Sequence, residues 1–218
     1  MPDALWAHHG RAGRPLTVLV PVKRLSLAKS RLSGALTGHQ RQLLMEHMAA
    51  HVLETACRSR VGQVYVVGAG EKVRRLAARH GVGFLDDCGL GWNEALCHAR
   101  GLTRAGRGAA TMYLAADLPL VSASELRALA RACGPRSVVV AQSKDGGTNA
   151  LVACPVDVIT PSFGVRRSAS VHTAAAKLAG ARVTVVDLPG LAADVDLPED
   201  LHHLTQQLPW LAPAIGAA

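Results

Sequence analysis

Short apolar runs with strand character alternate with amphipathic helical patterns along nearly the whole of this chain, and no other feature limits its fold as tightly. Strands joined through a helix lie parallel, because the crossover carries the chain back to the edge it left, and a parallel sheet needs cover on both faces. The first strand is "LTVLVPV", Leu16 to Val22, and the helix "HQRQLLMEHMAAHVLETACR" has Leu43, Leu44, Met48, Val52 and Leu53 at helical spacing. "QVYVVG" predicts a second strand, "EKVRRLAARHG" a helix closed by Gly81, "VGFLDD" a third strand, "GWNEALCHARGLTRA" a helix and "TMYLAAD" a fourth strand. "SASELRALARAC" is a helix with Ser122 or Ser124 as its N-cap. "SVVVAQS" and "TNALVAC" are strands joined by the turn "KDGG"; a loop "PSFGVRR", a helix through Lys177, a strand "ARVTVVDLP" and a helix beginning near "LPEDLHHLTQQL" complete the series. With no internal repeat and no dividing linker, this pattern predicts one doubly wound, Rossmann-like α/β domain in three layers. It spans residues 15–211, between a flexible basic tail (1–14) and a short tail (212–218).

A chain of 218 residues can bury one ample core. No apolar run approaches the roughly 18 residues of a membrane span, and "MPDALWAHHGRAGRP" lacks the apolar centre of a signal peptide. The expectation is a cytoplasmic protein with no membrane partner. Cys57, Cys88, Cys97, Cys133 and Cys154 have neither a CxxC pair nor regular spacing, which argues against a zinc site and a disulfide framework. The net charge of +8 points to phosphate-rich partners. Against nucleic acid stand an aromatic content of only 3% and arginines (Arg74, Arg75, Arg79, Arg127, Arg131) scattered over several helices. A small, multiply charged anion accounts for the same excess.

The place for such an anion is beyond the carboxyl ends of the strands. "LVPVKRLSLAKSRLS" runs from the first strand straight into Lys23, Arg24, Lys29 and Arg31. Asp117 in "AADLPLV" ends an apolar strand just before a proline, as a ligand for a divalent cation or as a cap. In "DVDLPEDL", Glu199 and Asp200 suit the first turn of a helix, leaving Asp194 and Asp196 to join Asp117. "KDGGTNAL" places two glycines before Thr148 and Asn149, as an anion cradle or a plain hairpin. "SFGVRRSASVH" offers Ser162, Ser168, two arginines and His172 for gripping phosphate or carboxylate. His47 and His51, spaced i, i+4 with no third ligand near, read as surface or core residues.

Taken in order, "VPVKRLSLAKSRLS", "GWNEAL", "AADLPLV", "GGTNAL", "SFG" with "SASVH", and "DVDLPEDL" resemble the CofC/FbiD family, the guanylyltransferases of coenzyme F420 biosynthesis within the GT-A-like nucleotidyltransferases. The resemblance runs from Leu16 to about Leu204. It implies a mostly parallel seven-stranded sheet and Mg2+-dependent transfer of GMP from GTP to 2-phospho-L-lactate, phosphoenolpyruvate or 3-phospho-D-glycerate, with release of pyrophosphate. The product would pass to a downstream transferase of that pathway. By the same resemblance Lys23, Lys29 and Arg31 hold the triphosphate, Asp117 with one or both of Asp194 and Asp196 holds the metal, and Asn93 and Glu94 lie near the nucleoside. Thr148, Gly164 and Ser168 fall where the family binds its acceptor. Two departures stand out: Trp92 replaces a usual leucine, and Ser168 comes four residues after Gly164 rather than three. Either the loop is longer by one or Arg167 takes the serine's place, and Arg166 or Arg167 then gives the site reach for the longer acid.

The expected nucleophile is a phosphate oxygen with a second pKa of about 6, already ionised at neutral pH, so no general base and no triad is needed. Lys23, Lys29 and Asp117 would carry the catalysis by alignment and charge neutralisation. The competing readings are a different GT-A-like nucleotidyltransferase, such as a cytidylyltransferase for a cofactor precursor, and a basic nucleic-acid-binding protein. Exposed apolar helix faces would also suit a homodimer.

Overall fold

Val18, Val20 and Val22 face one side of the first strand and Leu19 the other, and all are buried, as a strand enclosed between two helical layers requires. The computed structural model describes residues 15–22, 29–103, 108–201 and 208. Within them run β1 (Leu16–Val22), α1 (Gly38–Ser59), β2 (Gln63–Gly68), α2 (Glu71–Arg79), β3 (Gly83–Asp86), α3 (Trp92–Leu102), β4 (Ala110–Leu114), α4 (Ala123–Ala132), β5 (Ser137–Gln142), β6 (Thr148–Cys154), α5 (Ser168–Leu178), β7 (Arg182–Val186) and α6 (Pro189–Ala192). The predicted tails, 1–14 and 212–218, lie outside the described residues, and among those described no helix is long and apolar enough to cross a membrane.

The strands form a seven-stranded sheet in the order β3-β2-β1-β4-β6-β5-β7. β1 lies parallel to β2 and β4, β2 to β3, and β5 to β7, whereas β6 runs antiparallel to both β4 and β5. This is the mostly parallel α/β sheet the sequence predicts. The reversal of β6 has a local consequence, because Leu114 at the end of β4 pairs with Ala150 near the start of β6. Thr148 and Asn149 therefore emerge at the edge where the parallel strands finish. On one face Val20, Met112 and Val139 pack with Leu44, Met48 and Val52 of α1; on the other Leu19, Tyr113 and Val140 pack with Leu96 of α3 and Ala176 of α5.

Local chemistry fixes the helix starts. Thr37 caps α1 in a reciprocal box with Gln40, and Ser122, not Ser124, caps α4 through Glu125. Two predicted strands end early. The fourth stops at Leu114, after which the Ala115 amide donates to the Asn149 carbonyl at 2.8 Å. The last stops at Val186, where its pairing with β5 ends at Ala141, and Pro189, preset for a helix start, lets Pro189–Ala192 coil into α6. Glu125 secures that turn by accepting the Gly190 amide at 2.7 Å. A Cβ on Gly190 would meet the Leu120 carbonyl oxygen at 2.4 Å, so only glycine fits there. The final predicted helix opens at Pro198 and leaves the described residues after Leu201.

Candidate active site

A cleft of about 720 Å³ opens along the carboxyl edge of the sheet. Its charged floor is built from segments far apart in sequence. Lys29 follows β1 in a left-handed conformation (φ 54°) and sends a side chain only 6% exposed beneath the cleft. The ammonium donates to Asp117 Oδ2, beyond β4, and to Asp196 Oδ1 at 2.9 Å, beyond α6. Arg31 adds a second contact to Asp196, Nη1 to Oδ2 at 3.3 Å. Burial alone would pull the Lys29 pKa down, but the charges of Asp117 and Asp196 and their hydrogen bonds outweigh it and hold the ammonium above its ordinary value.

Asp194 lies between these carboxylates and β6, accepting from Asn149 Nδ2 at 3.1 Å, while the same amide group donates to the Leu191 carbonyl at 2.8 Å. Burial pushes the Asp194 carboxyl up, the Asn149 bond opposes this, and the negative charges of Asp117 and Asp196 add to the rise. Among the described residues no three carboxylate, imidazole or thiol groups converge closely enough to hold an ion by themselves. The expected trio of Asp117, Asp194 and Asp196 thus shares one electrostatic neighbourhood without closing into a cage.

The facing wall is mostly neutral. Thr148 begins β6, Ser168 begins α5, and Gly164 and Arg166 come from the loop between them; all four line the cleft. The turn before Thr148 is shaped by its glycines: Gly146 has φ +86°, and a Cβ on Gly147 would meet Ser143 Oγ at 2.6 Å. Asp145 straps this turn, accepting from Ser143 Oγ at 2.5 Å and the Gly147 amide at 3.0 Å, and those bonds lower its pKa. The Gly146 carbonyl then accepts the Ala169 amide at 3.3 Å, docking the start of α5 on the turn.

Other predicted site residues take different places. Lys23 lies outside the described residues. Asn93 and Glu94 are not among the lining residues. Glu94 Oε2 accepts the Gly91 amide at 3.2 Å, capping α3, and Asn93 pairs with the backbone of Phe163, donating to its carbonyl at 3.1 Å and accepting its amide at 2.8 Å. Trp92, at the start of α3, lines the cleft in their stead and also a smaller cavity of about 90 Å³ with Asp87. Arg167 takes the N-cap position of α5 in a left-handed conformation and lies off the lining, while Ser168 is 2% exposed and bonds to Thr148. His172, offered by the sequence as an anion ligand, is fully buried behind the wall.

The sequence pattern described as "Guanylyl transferase CofC like" matches residues 16–206. The chain belongs to that family. Two relatives are each named phosphoenolpyruvate guanylyltransferase. The one from Sphaerobacter thermophilus is 38% identical over 194 residues, covering 88% of this chain and 93% of its own. The one from Conexibacter woesei is 36% identical over 195 residues, covering 86% of each. Among solved structures, 4-diphosphocytidyl-2C-methyl-D-erythritol synthase from Anaerococcus prevotii superposes with a TM-score of 0.63 at 9% identity, covering 90% of this chain and 99% of that one, a likeness of fold alone. Membership of the CofC-like family makes the chain a guanylyltransferase that transfers GMP in coenzyme F420 biosynthesis.

Proposed function

We propose that this CofC-like guanylyltransferase joins GMP from GTP to the phosphate of a three-carbon acid, with phosphoenolpyruvate as the acceptor its relatives' names point to. The observation that carries this reading is the contrast across the cleft: a floor of Lys29, Arg31, Asp117 and Asp196 faces a wall of hydroxyls, glycine backbone and Arg166, in which the Asp145 carboxylate is engaged by its own turn through Ser143 and Gly147. The first suits a triphosphate and its counter-ion, the second an acid bearing carboxylate and phosphate.

An acceptor phosphate oxygen attacks the α-phosphorus of GTP, the bond from that phosphorus to the bridging oxygen breaks, and pyrophosphate leaves with the electron pair. The nucleophile is already ionised near neutrality, so the chain needs no base. Its residues align the two anions and offset their charge, with Lys29 and Arg31 at the triphosphate and Arg166 at the acceptor. The oxygen donors of Asp117, Asp194 and Asp196 suit magnesium, which keeps waters and takes one or two carboxylates together with substrate phosphates rather than a protein cage. Such an ion would offset charge on the phosphates. A cytoplasmic location and handover to a further transferase of the pathway belong to the same proposal.

Incubation with GTP, Mg2+ and each of phosphoenolpyruvate, 2-phospho-L-lactate and 3-phospho-D-glycerate, with pyrophosphate release followed and CTP and UTP in parallel, tests it. Turnover with GTP and at least one acid is expected. Turnover only with CTP or UTP would replace this reading with that of another nucleotidyltransferase.

A further inference from the structure

Behind the acceptor wall lies a hydrogen-bond chain whose proton positions are fixed by one backbone amide. His172 on α5 is fully buried, its ring 5.0 Å from that of Phe163. Its Nε2 is 2.8 Å from the amide nitrogen of Ser162. A backbone N–H can only donate, so Nε2 must present a lone pair. Burial also pushes the imidazole pKa down to about 4, so the ring is neutral and its proton sits on Nδ1. Nδ1 lies 3.0 Å from Thr148 Oγ1 and therefore donates to it. Ser168 Oγ donates to the same oxygen at 3.1 Å. With both lone pairs of Thr148 Oγ1 engaged, its own proton has to point elsewhere, and the residue lines the cleft.

We infer that His172 is a positioning residue that makes the Thr148 hydroxyl a one-way donor into the acceptor side of the cleft, matched to an unprotonated anionic oxygen of the acid. This rests on the guanylyl-transfer reading above for the identity of the acid and for the side of the cleft that receives it. The proton chain itself follows from Ser162, His172, Ser168 and Thr148. It also gives the loop a second role, since the segment that carries Gly164 and Arg166 delivers the Ser162 amide that sets the tautomer. Asn93, through its paired bonds to Phe163, holds that segment in place.

Nitrogen-15 NMR of the full-length, histidine-labelled protein at pH 7 reads the tautomer directly. A His172 ring with Nδ1 protonated and Nε2 bare is expected; the opposite tautomer or an imidazolium overturns the inference. Those shifts are read on the free protein, so they decide the proton arrangement even if no acid is a substrate. Kinetics supply the second test. Thr148→Val, which keeps the shape and loses the donor, is expected to raise the acceptor KM about tenfold with the GTP KM unchanged, and Thr148→Ser to restore it. His172→Phe should give the same acceptor-specific loss, and His172→Gln, which retains a donor and an acceptor, should recover part of it. An unchanged acceptor KM in Thr148→Val, or equal losses for GTP and acceptor, would overturn the assignment; since that variant takes the acceptor from the buried His172 Nδ1 and Ser168 Oγ, the tautomer read on the unaltered protein keeps the test independent of whether either variant folds.

Discussion

Replacing Lys29 by methionine keeps an unbranched stem in the buried channel and removes the ammonium from between Asp117 and Asp196. Two unit charges in contact, roughly 3 Å apart, attract by about 5 kcal/mol at an effective permittivity near 20. Desolvating a Lys29 side chain that is 6% exposed offsets much of that attraction. Asp196, 40% exposed, is screened by water and contributes under about 1 kcal/mol, so most of the net effect runs through Asp117, 26% exposed. The expected loss of stability is about 2–3 kcal/mol, measured by urea denaturation at neutral pH with an unchanged m-value. Arg31→Met, whose side chain is 69% exposed, should cost under about 0.5 kcal/mol in the same assay. Asp117→Asn combined with Lys29→Met should be less destabilised than the sum of the two single changes by about 1–2 kcal/mol, since the asparagine no longer needs a counter-charge. On the proposed chemistry, turnover of Lys29→Met falls by about a hundredfold or more. A loss below about 0.5 kcal/mol together with strict additivity would refute the idea that the ammonium is held between these carboxylates.

Arg166→Ala should raise the acceptor KM about tenfold and shift competition among phosphoenolpyruvate, 2-phospho-L-lactate and 3-phospho-D-glycerate, whereas Arg167→Ala, off the cleft lining, should change neither by more than about twofold; equal effects would show that the lining arginine is not the discriminating one. Acidification should destabilise the fold through His172. Its folded pKa of about 4 lies below the ordinary 6.5, so the unfolded chain binds the extra proton first and stability falls as pH drops from about 6.5 towards 4. That gap corresponds to about 3 kcal/mol at most, seen as a falling urea midpoint that is flattened in His172→Gln, and an equal acid response in both proteins would refute it.

The strand and helix alternation and the reversed hairpin at "KDGG" were legible because each is written in neighbouring residues. Glycines at 146 and 147 announce the turn, and a hydroxyl after them opens β6. The charged floor was legible only as separate pieces. Lys29 is 88 residues from Asp117 and 167 from Asp196, so its burial beneath the cleft depends on the packing of distant loops. Glu94 shows the converse, since a glutamate three residues after Gly91 is a helix-capping signal readable in sequence, and that local role is the one the fold gives it. Asn93 and His172 were legible as polar residues near the site but not as supports, because their partners, the Phe163 backbone and the Ser162 amide, belong to a loop whose path no periodicity predicts. α6 escaped for a simpler reason: at four residues it is too short to show a helical period.

The reversed strand explains how one sheet edge can serve two anions without merging their sites. Parallel strands deliver loops, and here the loops after β1, β4 and α6 bring ionised groups whose partners are one another: Lys29 with Asp117 and Asp196, Arg31 with Asp196. β6 arrives at the same edge from the opposite direction and presents its first residues, Thr148 and Asn149, directly from the ladder. Asn149 then turns its amide toward Asp194, and Thr148 turns its oxygen toward His172 and Ser168, so the two adjacent residues point to opposite faces of the sheet as the alternation of a strand requires. A substitution at Thr148 should therefore be read in the acceptor and one at Asn149 in the carboxylate cluster. A one-residue slip of β6 against β5 would exchange these roles, which gives the Gly146–Gly147 turn that joins the two strands a functional reason for its geometry.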